Sequence, residues 1–293
     1  MNESPEMGAL AKTKPTDEFD TSRAIDLDQE ESPRSTKMQW MCRPSAKWRR
    51  ATVECRMRTA WTANEPNQLL CSDCAVRPFS FCAAFDQAEL RELDHLGRHV
   101  HFLPRETAFA QEELTTSFFN LLEGVMRLYK LLPDGRRQIV GFALPGDFLG
   151  LATSAHHNFS ADASGPVTVC RFPRASFAPF IEDKPHLLRR INELMIRELS
   201  QAQDHIVLLG RRSAEEKVAS FVLAWRDRLA RLGAATKMVP LPMGRQDIAD
   251  FLGLTIETVS RTFTKLERDG LIEIVSGGVR LAALERVKAL VAA

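Results

Sequence analysis

The chain has 293 residues, 44% of them apolar, which suffices for two ordinary globular cores at about 100–200 residues per domain. No run of about 18 consecutive apolar residues occurs, so the sequence holds no candidate membrane-spanning helix. The formal net charge of +1 excludes a strongly basic or acidic chain, yet from Arg211 onward 14 Lys or Arg stand against 10 Asp or Glu, a local surplus suited to a polyanionic partner.

Residues 1–66 open with Glu3, Glu6, Asp17, Glu18, Asp20 and further acids among few apolar groups. Such a stretch cannot bury enough surface to offset its ordering entropy and predicts a disordered extension. Its second half is basic, with Trp40 and Trp48 interleaved, and reads as a solvated tail.

Residues 71–82 then place Cys71, Cys74 and Cys82 in a C-x2-C-x7-C spacing, close enough to converge on one point. No targeting segment is evident, which predicts a cytoplasmic protein, and in that reducing setting clustered thiols are more often metal ligands or redox groups than disulfides. Tetrahedral zinc and iron–sulfur clusters both take four ligands, and the spacing leaves both open. Of the remaining cysteines Cys42, Cys55 and Cys170, only Cys170 falls in the part expected to fold.

Asp86–Leu96 predicts a short amphipathic helix with Leu90, Leu93 and Leu96 on one face. From Val100 to Phe172 apolar runs of five to eight residues alternate with Gly and Pro turns, which predicts an antiparallel β-barrel or β-roll with Cys170 on its last strand. Pro185 opens a long helix in which Leu188, Ile191, Met195, Leu199, Ala202, Ile206 and Leu209 recur every 3–4 residues. That is the repeat of a coiled-coil seam and predicts self-pairing; Asp204 beside it would repel its symmetry mate and keep the pair weak.

Ser213–Glu216 forms a capping box for the next helix. Residues 244–253 and 255–270 then read as two short helices joined at Gly253, with Ile256, Val259, Phe263 and Leu266 on one face of the second. Residues 271–281 read as a hairpin, which makes the module a winged helix-turn-helix. The second helix is the recognition helix, and Glu257, Ser260 and Arg261 face outward near its start, side chains that can read base edges in a major groove. The sequence shows neither an acid–base constellation nor a phosphate-binding glycine motif, so no enzyme is expected.

The fold class is therefore α+β, with an N-terminal antiparallel β-roll, a long dimerisation helix and a C-terminal winged helix-turn-helix; the resemblance that follows implies that the roll is a sensor domain of the cupin-like or cyclic-nucleotide-binding type. The expected divisions are 1–66, 67–184, 185–210 and 211–293. This order of parts resembles the CRP/FNR family of bacterial transcription regulators from about Leu70 to the end. Thr255-Ile-Glu-Thr-Val-Ser-Arg261 resembles the E-x-x-S-R recognition helix of the FNR branch, and Gly141–Gly150 resembles the family's barrel segment. The resemblance implies an oxygen-responsive regulator whose [4Fe–4S] cluster is held by Cys71, Cys74, Cys82 and Cys170. It further implies a homodimer on double-stranded DNA at a TTGAT-N4-ATCAA-like palindrome, and contact with RNA polymerase through surface loops such as the turn at Pro133–Arg137. The Arg-Gly-Glu…Ser segment that holds cyclic AMP in CRP-type members is missing after Gly150, so no cyclic nucleotide is expected. A haem sensor using His95, His99 or His101 and a zinc-stabilised, redox-indifferent regulator are the same-fold alternatives.

Overall fold

The computed structural model describes residues 39–44, 53–58, 71–151, 155–233 and 238–292. Within the stretch expected to be disordered, Gln39–Pro44 (β1) and Val53–Arg58 (β2) pair antiparallel with Cys42 opposite Cys55. That expectation weighed the acidic opening, whereas these two segments carry Trp40, Met41, Val53 and Met57 and can satisfy each other's backbone groups locally. The rest of the expected extension lies outside the described residues.

Three short 3₁₀ turns, Cys71–Asp73, Arg77–Phe79 and Phe81–Ala84, lead into Gln87–Leu96 (α1), which Asp86 and Glu89 close with a reciprocal capping box. Next come Arg98–Phe102 (β3), Thr107–Phe109 (β4), Ser117–Glu123 (β5), Met126–Leu131 (β6), Arg137–Ala143 (β7), Phe148–Leu149 (β8), Ser160–Ala163 (β9) and Val167–Pro173 (β10). They form two antiparallel sheets in the orders β3-β10-β5-β8 and β4-β9-β6-β7. Phe102, Phe109, Phe119, Leu121, Met126, Val167 and Val169 fill the interior of this roll. Because side chains alternate along a strand, Cys170 and Phe172 of β10 point out of the roll instead. There they join Phe81, Cys82, Leu90, Leu93 and Phe118 in a second core.

Arg174–Glu182 (α2) and the first turn of Pro185–Arg211 (α3) complete that second core with Phe177, Ile181 and Leu187. The sequence reading missed α2, since Pro179 inside it looks like a breaker, but burial of Phe177 and Ile181 holds the helix together.

Ala214–Arg231 (α4) starts at the expected Ser213–Glu216 capping box. Met238–Pro240 (β11), Arg245–Leu252 (α5), Ile256–Arg268 (α6), Ile272–Val275 (β12), Gly278–Leu281 (β13) and Leu284–Ala292 (α7) follow. The wing has three strands in the order β11-β13-β12 rather than the expected two. Val218, Trp225, Ile248, Val259, Phe263 and Val279 pack into one core with Val125, Ile139, Phe142 and Leu144 from the roll, so the two modules share apolar contact. Among the described residues no helix is long and apolar enough to cross a membrane.

Candidate metal centre and DNA-reading helix

The four cysteines expected as ligands come from two parts of the fold. The Cys71 amide N–H donates to Asp94 Oδ1 on α1, which ties the first turn to that helix. Ser80 Oγ accepts from the Cys82 amide at 3.1 Å and fixes the third turn. Cys170 lies on β10 directly opposite His99 of β3 and Asn120 of β5, and Asn120 in turn opposes Phe148 of β8. Directly opposed residues share a sheet face, so these four form a row beneath the cysteine turns. Gly97 lets the chain pass this row, since a Cβ there would lie 2.7 Å from the Phe172 ring and 3.1 Å from Cys170 Sγ.

Cys82 and Cys170 are buried, Cys71 and Cys74 half-buried, and all four are free thiols. Burial pushes every one of them up, Cys82 to about 12, and the Asp94 carboxylate adds to the effect at Cys71. The thiols also act on one another electrostatically: Cys71 with Cys82 and Cys170, Cys82 with Cys74, and Cys170 with Cys82 and Cys74. In this form they are protonated and unreactive at neutral pH, and any metal that bound them would have to displace their protons. Among the described residues no three His, Cys, Asp or Glu side chains gather tightly enough to hold a single ion. The arrangement is thus four soft sulfur donors, two buried and two half-buried, supplied by the 71–82 turns and β10.

Gly253, at φ +61°, turns the chain between α5 and α6. Thr255 caps α6, its Oγ1 accepting from the Thr258 amide at 3.2 Å. Val259, Phe263 and Leu266 bury the inner face of α6, and Arg245 of α5 lies over the Phe263 ring at 3.4 Å. Glu257, Ser260 and Arg261 are exposed on the outer face. The Glu257 carboxylate is held below its usual range by the free amides and Thr255 at the helix start, with Arg261 assisting. Ser260, Arg261, Thr264, Lys265 and Arg268 line a shallow groove of about 310 Å³ along the same face.

On α3, Leu188, Met195, Leu199, Ala202, Asp204 and Ile206 are exposed. Ile191 packs on the second core and Leu209 lies against Gly253, so these two seam residues turn toward their own chain. Ile196 and Val207, 64% and 55% exposed, widen the apolar stripe. Each directly follows a residue of the predicted seam, Met195 and Ile206 respectively. Of the histidines weighed as haem ligands, His101 bonds to Thr168 Oγ1 at 3.0 Å, His99 lies in the Cys170 row, and His95 is exposed on α1.

Three groups escaped the sequence reading. Asp94 and Asn120 were hidden because nothing in a helix or strand pattern says which thiol a polar residue will meet, though Asn120 in Phe118-Phe-Asn-Leu-Leu122 is a polar residue inside an apolar run. The third is an ionic lattice between roll and helix-turn-helix. Arg127 meets Asp162 at 2.7 Å and Asp247 at 3.3 Å, while Arg137 meets Asp247 at 2.6 Å and Asp250 at 2.8 Å. Arg228 adds a bond to Asp147, and His205 of α3 stacks on Phe251 and donates to its carbonyl at 2.9 Å.

Residues 241–272 match the model of bacterial regulatory proteins of the crp family, and residues 99–184 match the cyclic nucleotide-binding domain. The chain is 69% identical over 229 residues to the nitrogen fixation regulation protein FixK of Bradyrhizobium diazoefficiens, covering 78% of this chain and 97% of that protein. It is 60% identical to the transcriptional activatory protein AadR of Rhodopseudomonas palustris, covering 75% of this chain and 92% of that protein. The solved structure of FixK2 from Bradyrhizobium japonicum superposes with a TM-score of 0.63 at 35% identity, covering 67% of this chain and 98% of that one.

Proposed function

The chain belongs to the CRP/FNR family of DNA-binding transcription regulators, and we propose that within it this protein is an activator that senses oxygen through a [4Fe–4S] cluster on Cys71, Cys74, Cys82 and Cys170. The observation that carries the reading is the convergence of four buried or half-buried thiols from the 71–82 turns and β10. Thiolate is the donor that iron–sulfur clusters take. The electrostatic influence of Cys71, Cys74, Cys82 and Cys170 on one another supports the same grouping. When bound, the cluster supplies an oxygen-labile group joining the 71–82 turns to the roll.

The chain's own residues carry the signal outward. The turns, α1, α2 and the start of α3 share one core with Cys82 and Cys170, so a change at the thiols bears directly on the root of α3. The exposed stripe of Met195, Ile196, Leu199, Ile206 and Val207 fits a second copy of α3. Pairing there presents two α6 helices to successive major grooves, about one helical turn apart. Glu257, Ser260 and Arg261 then read the half-sites of a TTGAT-N4-ATCAA-like palindrome, and Arg268 on the same face adds a phosphate contact. The exposed turn at 132–136 is available to RNA polymerase, while Arg137 is engaged by Asp247 and Asp250. Phe109, Phe119, Leu121, Met126 and Val169 fill the roll's interior, and the Arg-Gly-Glu…Ser segment is missing after Gly150, which together support a role without cyclic nucleotide. AadR's name as a transcriptional activatory protein supports activation, and the cytoplasm is where such a regulator meets its promoter.

The test is fluorescence anisotropy on a labelled TTGAT-N4-ATCAA duplex at fixed salt, first without oxygen and then after air. The reading predicts tight anaerobic binding that weakens at least tenfold in air. Equal affinity in both states would overturn oxygen sensing, and equal affinity for a scrambled duplex would overturn the base reading.

A further inference from the structure

The Asn120 side chain is 1% exposed, in an otherwise apolar neighbourhood between the roll and the cysteine turns. It stands directly opposite Cys170 in the β5–β10 ladder, and its Nδ2 donates to Cys82 Sγ at 3.9 Å. Its Oδ1 is buried without any hydrogen-bond partner. A half-satisfied amide in a dry core costs stability, and an apolar residue of the same shape would avoid that cost. The N–H is therefore what this position retains. A protonated thiol is a weak acceptor, but a thiolate makes the same contact charge-assisted and much stronger, so the bond favours the metal-ligating form of Cys82 over the free thiol.

We propose that Asn120 is a positioning residue for the cluster: its amide N–H, aimed at the Cys82 sulfur from the strand that flanks Cys170, sets how readily the bound cluster is oxidised. This rests on the cluster reading above. Hydrogen bonds to ligand sulfurs draw electron density from a cluster and raise its reduction potential. Loss of the donor would leave the cluster easier to oxidise and quicker to fail in air.

The experiment compares the full chain with Asn120→Leu, which keeps the volume and removes the donor, and Asn120→Asp, which keeps the shape and replaces the donor with a like charge. Thermal unfolding of each metal-free protein establishes that the fold survives. Each is then reconstituted without oxygen, its midpoint potential measured by redox titration, and the decay of its visible band followed after admission of air. Asn120→Leu is expected to have a more negative potential and a several-fold faster decay, and Asn120→Asp a larger change in the same direction or failure to hold iron. Wild-type potential and decay in a folded, iron-loaded Asn120→Leu would overturn the proposal while leaving the cluster reading intact. Failure of the wild-type chain itself to take up iron and sulfide would overturn the cluster reading, and this proposal with it.

Discussion

Arg261 stands one turn beyond Glu257 on the exposed face of α6, and its charge helps hold the Glu257 carboxylate below its usual range. If Arg261 pairs with a guanine edge, Arg261→Ala should lose about 1–3 kcal/mol of discrimination at that base while binding scrambled duplex nearly as before. Anisotropy on single-base variants of the palindrome measures this, and equal losses on all sequences would contradict base reading. These DNA-facing residues were legible because a helix with a strong apolar face leaves only a few positions outward, and the recognition-helix spacing says which of them lie near the start. The surroundings of the thiols were not. Cys71, Cys74, Cys82 and Cys170 could be picked out as residue types, whereas Asp94 on Cys71 and Asn120 on Cys82 depend on contacts across 23 and 38 residues of sequence.

At the scale of elements, α3 was legible as a long helix with an apolar stripe, because a period near 3.5 residues is a purely local signal. Its partition was not, since only the folded chain shows Ile191 and Leu209 turned inward and Ile196 and Val207 turned out. Ile206→Asp on the exposed stripe should weaken self-association by about 1.5–3 kcal/mol, roughly ten- to hundredfold, without unfolding the chain; sedimentation of the anaerobic protein measures it. His205 joins α3 to α5 through its contact with Phe251. Burial lowers its pKa from the usual 6.5, so the folded chain keeps it neutral while the unfolded chain protonates. Stability is then fully present above about pH 6.5 and is lost as pH falls through that value toward the lower folded pKa. Burial acts the same way at His99 and His157, so His205→Leu should flatten the acid limb of a urea-unfolding series without removing it. The strands of the roll were readable from their turns, but α2 was hidden by Pro179 and β11 by its three-residue length.

At the scale of the whole molecule, roll and winged helix-turn-helix are joined by a common apolar core and by the lattice of Arg127, Arg137, Asp162, Asp247 and Asp250. No sequence pattern announces such a junction, because each half shows ordinary periodicity and the charges meet only across the fold. The side chains of Arg137, Asp247 and Asp250 are 24%, 9% and 13% exposed, so their bonds are only partly screened. Arg137→Ala should therefore cost about 1–3 kcal/mol of stability by urea unfolding. A change below about 0.5 kcal/mol would reduce the lattice to ordinary surface pairs. The central claim, however, is that the four thiols hold an oxygen-labile cluster, and it is tested most directly by iron and acid-labile sulfide per chain after strictly anaerobic purification. The account predicts about four of each in the wild-type chain, a visible band that decays in air, and loss of both in a folded Cys170→Ala variant. Zinc in place of iron, no metal after anaerobic reconstitution, or full loading of Cys170→Ala would contradict it.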